Sequence, residues 1–236
     1  MSAAATPAWP STWDDGSRQP KRRSLSREAI VEVALGIVDA EGLGALSMRR
    51  IAQELNTGPA SLYAHVSGKE QLVELLLDRV YGDMDHPVPD PGRWREQVTE
   101  YLRRSRDNLV AHRDLARVAM AVNIPTTPNA LDAAETMLAL LRAGGLSKQV
   151  AAYGVDLLAL YVTSSAYEMS ERGEAVTRDQ AQDYLDGVRG FFSSLPADRF
   201  PVLTSMVPEL TRDEGDERFD FGVGVILAGL VAREQA

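Results

Sequence analysis

Residues 47–72, SMRRIAQELNTGPASLYAHVSGKEQL, carry the pattern that decides the fold. Ser47 precedes a run in which Met48, Ile51, Ala52 and Leu55 recur at the spacing of one buried helical face. Asn56-Thr57-Gly58 then makes a tight turn, and Pro59 suits a first helical position, where its missing N–H costs nothing. The next helix has room for barely two turns before Ser67-Gly68. So short a helix is not stable alone in water, so neighbours must hold it. Pro59, Leu62 and Val66 share the side that can pack inward. Ala60 and Ala64 lie opposite, flanked by Ser61 and Tyr63, with His65 toward the edge.

The same local signals extend outward. Ser26 is placed as an N-cap, Leu25 and Ile30 as a hydrophobic staple, and Ile30, Val33, Ala34, Ile37 and Val38 as a buried face. Gly42 and Gly44 end that helix. Leu46 and Ile51 repeat the staple for the helix that Ser47 caps. Ser67 and Glu70 have capping-box spacing for a fourth helix with Leu72, Leu75, Leu76 and Val80 inward, running to about Asp85. HPVPDPG, 86–92, marks a domain boundary. Further helices are expected near 94–112, 114–122, 127–143, 147–171, 177–194 and 217–233, with Gly173 and the Pro208–Gly215 region among the breaks. Strand signals are scarce. The expectation is an all-α chain in three parts. These are a disordered Ala/Pro/Ser-rich tail over 1–20 that includes Trp9 and Trp13, a helix-turn-helix domain with its connecting helix over 21–85, and a larger helical domain over 86–236.

The net charge of −9 is unevenly spread: residues 21–80 carry eight basic and eight acidic side chains, residues 81–236 carry 16 and 24. Within 47–69, Arg49, Arg50 and Lys69 face only Glu54. A helix, a tight turn and a short second helix form the arrangement that places its second helix in the DNA major groove, where a local positive excess is needed. Three small helices can also be a mere packing unit, and spacing alone leaves both readings open.

The stretch from Leu25 to Val80, LSREAIVEVALGIVDAEGLGALSMRRIAQELNTGPASLYAHVSGKEQLVELLLDRV, resembles the DNA-binding domain of the tetracycline-repressor family, most specifically in SLYAHVSGKEQL. RFDFGVGVILAGLVAR (218–233) resembles the last helix of that repressor's own branch, while Trp94, HRDLARV and ETMLALLRAGGLS match more loosely. The resemblance implies groove or base-edge contacts from Arg49, Pro59, Ala60 and Ser61, and phosphate contacts from Met48, Tyr63, His65 and Lys69. Arg49 suits bidentate guanine recognition, and Pro59 and Ala60 can offer only apolar contact, for instance to thymine methyls. Met48 stands where the family often has a hydroxyl, and a core position is its alternative. Lys21, Arg22 and Arg23 read as a basic arm or as a solvated tail.

Two stretches, VAAYGVDLLALYVTSSAYEM (150–169) and FDFGVGVILAGLVA (219–232), are apolar around their circumference, as expected of helices buried on all sides, either in a core or at a subunit interface. Gly222 and Gly229 lie seven apart on one face, where they would permit a close crossing. The resemblance implies that both helices pair with their copies in a homodimer on double-stranded operator DNA, and that the C-terminal domain encloses a small-molecule effector. The implied lining is Tyr101, Ser105, Val122, Asn123, Met137 and Val155, each of which fits plain core equally well. Where the tetracycline repressor holds a drug-bound magnesium through histidine, this chain has Ala119, and His112 does not replace it. Asp156 is either a paired core charge or a ligand anchor.

No enzyme motif stands out. His65, His86 and His112 are scattered, cysteine is absent, and no nucleophile elbow or phosphate loop occurs. No catalytic residue, metal site or cofactor is expected. Without a secretory signal or a span-length apolar run, the expectation is a cytoplasmic protein that does not enter the membrane. A ligand-responsive repressor is the leading reading. Ligand-independent DNA binding, an architectural role and transcriptional activation on the same fold are the alternatives.

Overall fold

The computed structural model describes residues 25–121, 124–175, 178–212 and 216–235, with the side chains of 172–181 outside that description. The tail, including Trp9, Trp13 and Lys21 to Arg23, therefore lies outside the described residues, as do Val122 and Asn123. All regular structure among the described residues is helical.

Helix α1, Arg27–Glu41, starts where Ser26 Oγ accepts from Ala29 N at 3.2 Å. It ends at Gly42, whose φ of +83° is a left-handed value that a side chain would strain. A 3-10 turn, Leu43–Ala45, leads to α2, Met48–Glu54, capped by Ser47 Oγ accepting from Arg50 N at 3.2 Å. Helix α3 is a single regular turn, Pro59–Leu62, continued by hydrogen bonds from His65 N and Val66 N to Leu62 O. Helix α4 follows, Lys69–Tyr81. Its start differs from the expected capping box: Ser67 N donates to Gln71 Oε1 at 2.6 Å, and Glu70 takes no part. The helix also stops at Tyr81 rather than near Asp85, because Gly82 caps it and Asn129 crosses its last turn, bonding to Asp78.

Beyond it come α5 (Trp94–Ala111), α6 (Leu115–Ala119), α7 (Pro128–Ala143), α8 (Lys148–Ala175), α9 (Arg178–Ser193), α10 (Pro201–Ser205), α11 (Val207–Leu210) and α12 (Glu217–Glu234). Two features depart from the sequence reading. Helix α8 continues through Gly173, since one glycine costs a helix only about 1 kcal/mol and the long packed helix absorbs it. Two short helices, α10 and α11, fill part of the region read as a break; each has Pro at a first-turn position, where proline is helix-compatible.

Two apolar clusters hold the body. One joins α1 to α4 with Leu109, Leu115, Ala116, Ala119 and Ala166, so the N-terminal helices are packed onto α5, α6 and α8. The other joins α5, α7, α8 and α12 around Trp94, Val98, Leu140, Leu158 and Val223. Ion pairs tie α5 to α12: Arg103 with Asp220, and buried Arg106 with Asp216 at 2.7 Å while stacked on Phe219. Helices α9, α10 and α11 pack on one another, with Arg189 donating to Thr211.

Candidate DNA interface and ligand cavity

Leu62 and Val66 are buried and hold α3 against the first cluster. Pro59, placed on the inner side by the wheel, is instead exposed, because with a single regular turn it lies at the free end. Ala60, Ser61 and Ala64 are exposed beside it, and Tyr63 is 55% exposed with its hydroxyl free to reach outward. His65 is half-buried, its carbonyl accepting from Arg27 Nε at 3.2 Å. Small side chains, a hydroxyl and a phenol thus share one protruding surface.

The two adjacent arginines differ. Arg50 is held by Glu41 at 2.9 Å and by Glu54, hydrogen bonds that raise its pKa and fix it to the protein. Arg49 is exposed, and its side chain makes no hydrogen bond or ion pair with a described residue. Met48 is half-buried against the first cluster, in keeping with the core alternative. Lys69 is exposed, and its Nζ donates to Leu43 O at 3.2 Å. Leu43 N in turn donates to Asp114 Oδ2 at 2.6 Å, and His112 Nδ1 lies 3.1 Å from both Asp39 carboxylate oxygens. These links from the α5–α6 turn to the N-terminal helices carry no local sequence signal.

A cavity of about 590 Å³ is walled by α4, α5, α6, α7 and α8. Helix α4 contributes Glu74, Leu77 and Tyr81; α5 contributes Tyr101, Leu102 and Ser105; α6 contributes Ala119. The segment 124–127, the alanines and Met137 of α7, and the α8 face from Ala152 to Thr163 complete it. Tyr101, Ser105, Met137 and Val155 line this space. Asp156 lines it as well and is exposed, so it is no paired core charge. Glu74, Tyr81 and the alanine wall are additions that sequence reasoning missed. Burial pushes the Tyr101 hydroxyl up to about 12, so it remains protonated, and its oxygen lies within hydrogen-bond distance of His86 Nδ1 at 3.2 Å. Ala119 presents only a methyl group to this cavity.

Helices α8 and α12 are not buried on all sides in the protomer. Each has an inner face in the second cluster and an outer apolar face, with Tyr153 65% and Phe221 74% exposed beside Leu157, Leu160 and Val225. Gly222 and Gly229 also differ. A Cβ at Gly222 would meet Tyr161 Oη at 2.1 Å within the protomer, whereas Gly229 opens outward with nothing within 4 Å.

The sequence profile of bacterial regulatory proteins of the tetR family matches residues 30–76, and that of the tetracyclin repressor-like C-terminal domain matches residues 86–233. The HTH-type transcriptional repressor DrrR1 of Streptomyces coeruleorubidus is 35% identical over 92% of this chain and 82% of its own length. The chain belongs to the TetR family. It is thus a DNA-binding transcriptional regulator of helix-turn-helix type. Among solved TetR-family structures, ActR of Streptomyces coelicolor in complex with actinorhodin is 47% identical and superposes with a TM-score of 0.83 over 90% of this chain and 98% of ActR. ActR has also been solved with (S)-DNPA. The class D tetracycline repressor of Escherichia coli is 25% identical over 87% of this TetR-family chain and 88% of its own length. Among the described residues, no helix is long and apolar enough to cross a membrane.

Proposed function

We propose that this chain is a repressor that binds a near-palindromic operator as a homodimer and is released when a small molecule fills the 590 Å³ cavity. One observation carries the reading: α4 begins at Lys69, directly after the helix-turn-helix, and contributes Glu74, Leu77 and Tyr81 to the cavity wall. Any displacement of that wall moves the same rigid rod that ends at the helix-turn-helix. In this reading Arg49, Pro59, Ala60 and Ser61 meet the groove, and Tyr63, His65 and Lys69 position the backbone. Residues 21–85 form the DNA-binding unit and 86–236 the effector-binding and dimerisation unit, acting in the cytoplasm. The outer faces of α8 and α12 pair with their copies, giving two recognition helices the fixed separation that a two-fold operator requires. The solved complexes of ActR with small molecules support a ligand-filled cavity here.

Selection of bound sequences from a random duplex pool tests the DNA half. Two half-sites related by two-fold symmetry are expected, and enrichment of an asymmetric site would refute the dimeric reading. Anisotropy titration of the selected operator, with and without compounds that protect the protein from heat, tests the ligand half. By linkage, a releasing compound must bind the operator complex more weakly than the free protein, typically through about 1–3 kcal/mol of coupling. Equal affinity for both would refute release by that compound.

A further inference from the structure

The cavity is charged with one sign. Among the described residues that line it, the only ionisable side chains of ordinary acidic or basic character are Glu74 from α4 and Asp156 from α8, and neither pairs with a described residue. Its remaining polar side chains, apart from the tyrosines, are the hydroxyls of Ser105, Thr126, Thr127 and Thr163. Four basic side chains of the wall helices are engaged with other partners. Arg79 pairs with Glu32 and Asp83, Arg103 with Asp220, Arg106 with Asp107 and Asp216, and Arg142 donates to the Leu146 carbonyl. Among the described lining residues an anion would meet two carboxylates and no cationic side chain, whereas a cation would find both carboxylates unengaged.

The rest of the lining limits the shape. Ala130, Ala133 and Ala134 give α7 a low, smooth wall. Tyr81 and Tyr101 add aromatic rings, whose faces attract cations and pack against flat ring systems. The volume lies within the range of sites that enclose drug-sized molecules.

We propose that the cavity selects a flat, apolar organic cation, a fused-ring amine or iminium compound, whose positive charge is neutralised by Glu74 and Asp156. The assignment rests on the cavity being the effector site and adds the charge and shape of what enters it. It also gives the ligand a grip on regulation, since one of the two carboxylates sits on α4, five residues after Lys69.

Rhodamine 123 and fluorescein test this directly, because they share a xanthene ring system and differ in charge. Equilibrium dialysis of each dye against the full-length protein, without DNA, should show rhodamine 123 binding at least roughly tenfold more tightly, as two carboxylates of one sign at the wall of a partly enclosed site imply even though both are exposed to solvent. The isosteric double variant Glu74→Gln with Asp156→Asn should bring the two affinities within about threefold of each other by the same argument. Ala134→Trp, which fills the cavity without touching either carboxylate, should abolish binding of both dyes; if it fails to fold by circular dichroism, the isosteric pair decides. Tighter binding of fluorescein, or a cation preference that survives the double variant, overturns the charge assignment and leaves operator release by another compound standing. Binding of neither dye overturns it as well and counts against the cavity as the effector site.

Discussion

Leu62 is the residue on which the single-turn α3 depends, and Leu62→Ala puts a magnitude on that dependence. The side chain is 0% exposed. Truncation to Ala removes three buried carbons, about 2.4 kcal/mol at roughly 0.8 kcal/mol each. The cavity left behind raises the expected loss to about 3–5 kcal/mol. That is a large share of the roughly 5–15 kcal/mol that stabilises a typical domain. Helix α3 otherwise has short-range backbone bonds, such as Ser61 N to Gly58 O at 3.0 Å and His65 N to Leu62 O at 2.9 Å, and one exposed bond from Arg27 Nε to the His65 carbonyl. A helix of that length does not persist on hydrogen bonds alone. The damage should therefore concentrate where Pro59, Ala60 and Ser61 are presented. Urea unfolding followed by circular dichroism, together with operator anisotropy at a temperature where the protein is folded, measures both effects. The control is Leu158→Ala, equally buried in the second cluster. Both variants should lose comparable stability, with a more than tenfold loss of operator affinity for Leu62→Ala and less than about threefold for Leu158→Ala if α3 alone depends on this anchor. Normal operator affinity in a folded but destabilised Leu62→Ala would refute the argument.

Three further outcomes follow from other parts of the molecule. Arg49→Ala should cost about 1–3 kcal/mol and relax preference at one base pair per half-site, whereas Lys69→Ala should weaken all sequences alike and lower the salt-slope magnitude by about one; the reverse pattern in binding isotherms at several salt concentrations would overturn the assigned roles. Gly229→Arg places a charge on the outward face of α12 and should yield folded monomers by light scattering, while a dimeric variant would move the interface elsewhere. The raised Tyr101 pKa favours the neutral phenol in the folded state, so this contribution is intact below about pH 10, the ordinary tyrosine value, and is lost as pH rises toward about 12. Tyr101→Phe should flatten that alkaline fall in melting temperature, and an unchanged fall would assign it to other groups.

The N-terminal helices were legible because their signals are local. Ser26 and Ser47 cap the helices they precede, and the inward positions of α1 and α2 follow from periodicity. Where the competition lay within one turn, the sequence was ambiguous: Ser67 is bonded through its amide by Gln71, one residue beyond the expected Glu70. Apolar residues all around α8 and α12 could not reveal that half of each surface stays open in the protomer, since burial against a copy and burial in a core select the same residues. Tyr101, Ser105, Met137 and Val155 line the cavity, yet their types alone also fit ordinary core. Glu74 went unseen because α4 shows a clear core side, and its carboxylate acquires meaning only once α8 brings Asp156 to the same space. The alanines of α7 look like helix formers until their smallness is seen to leave room.

Leu43 holds Lys69 through its carbonyl and Asp114 through its amide. A lysine waiting in solvent forfeits up to about 1.5–2 kcal/mol of rotamer freedom when it is immobilised. Here much of that freedom is surrendered on folding, before any phosphate arrives, and the ammonium keeps donors to spare for a second acceptor. The readiness of the lysine is then only as firm as the peptide that restrains it, and that peptide is anchored to the turn leading into α6. Loosening the anchor would weaken the protein's hold on nucleic acid without disturbing any atom that touches it, as a slower association and a larger entropic penalty.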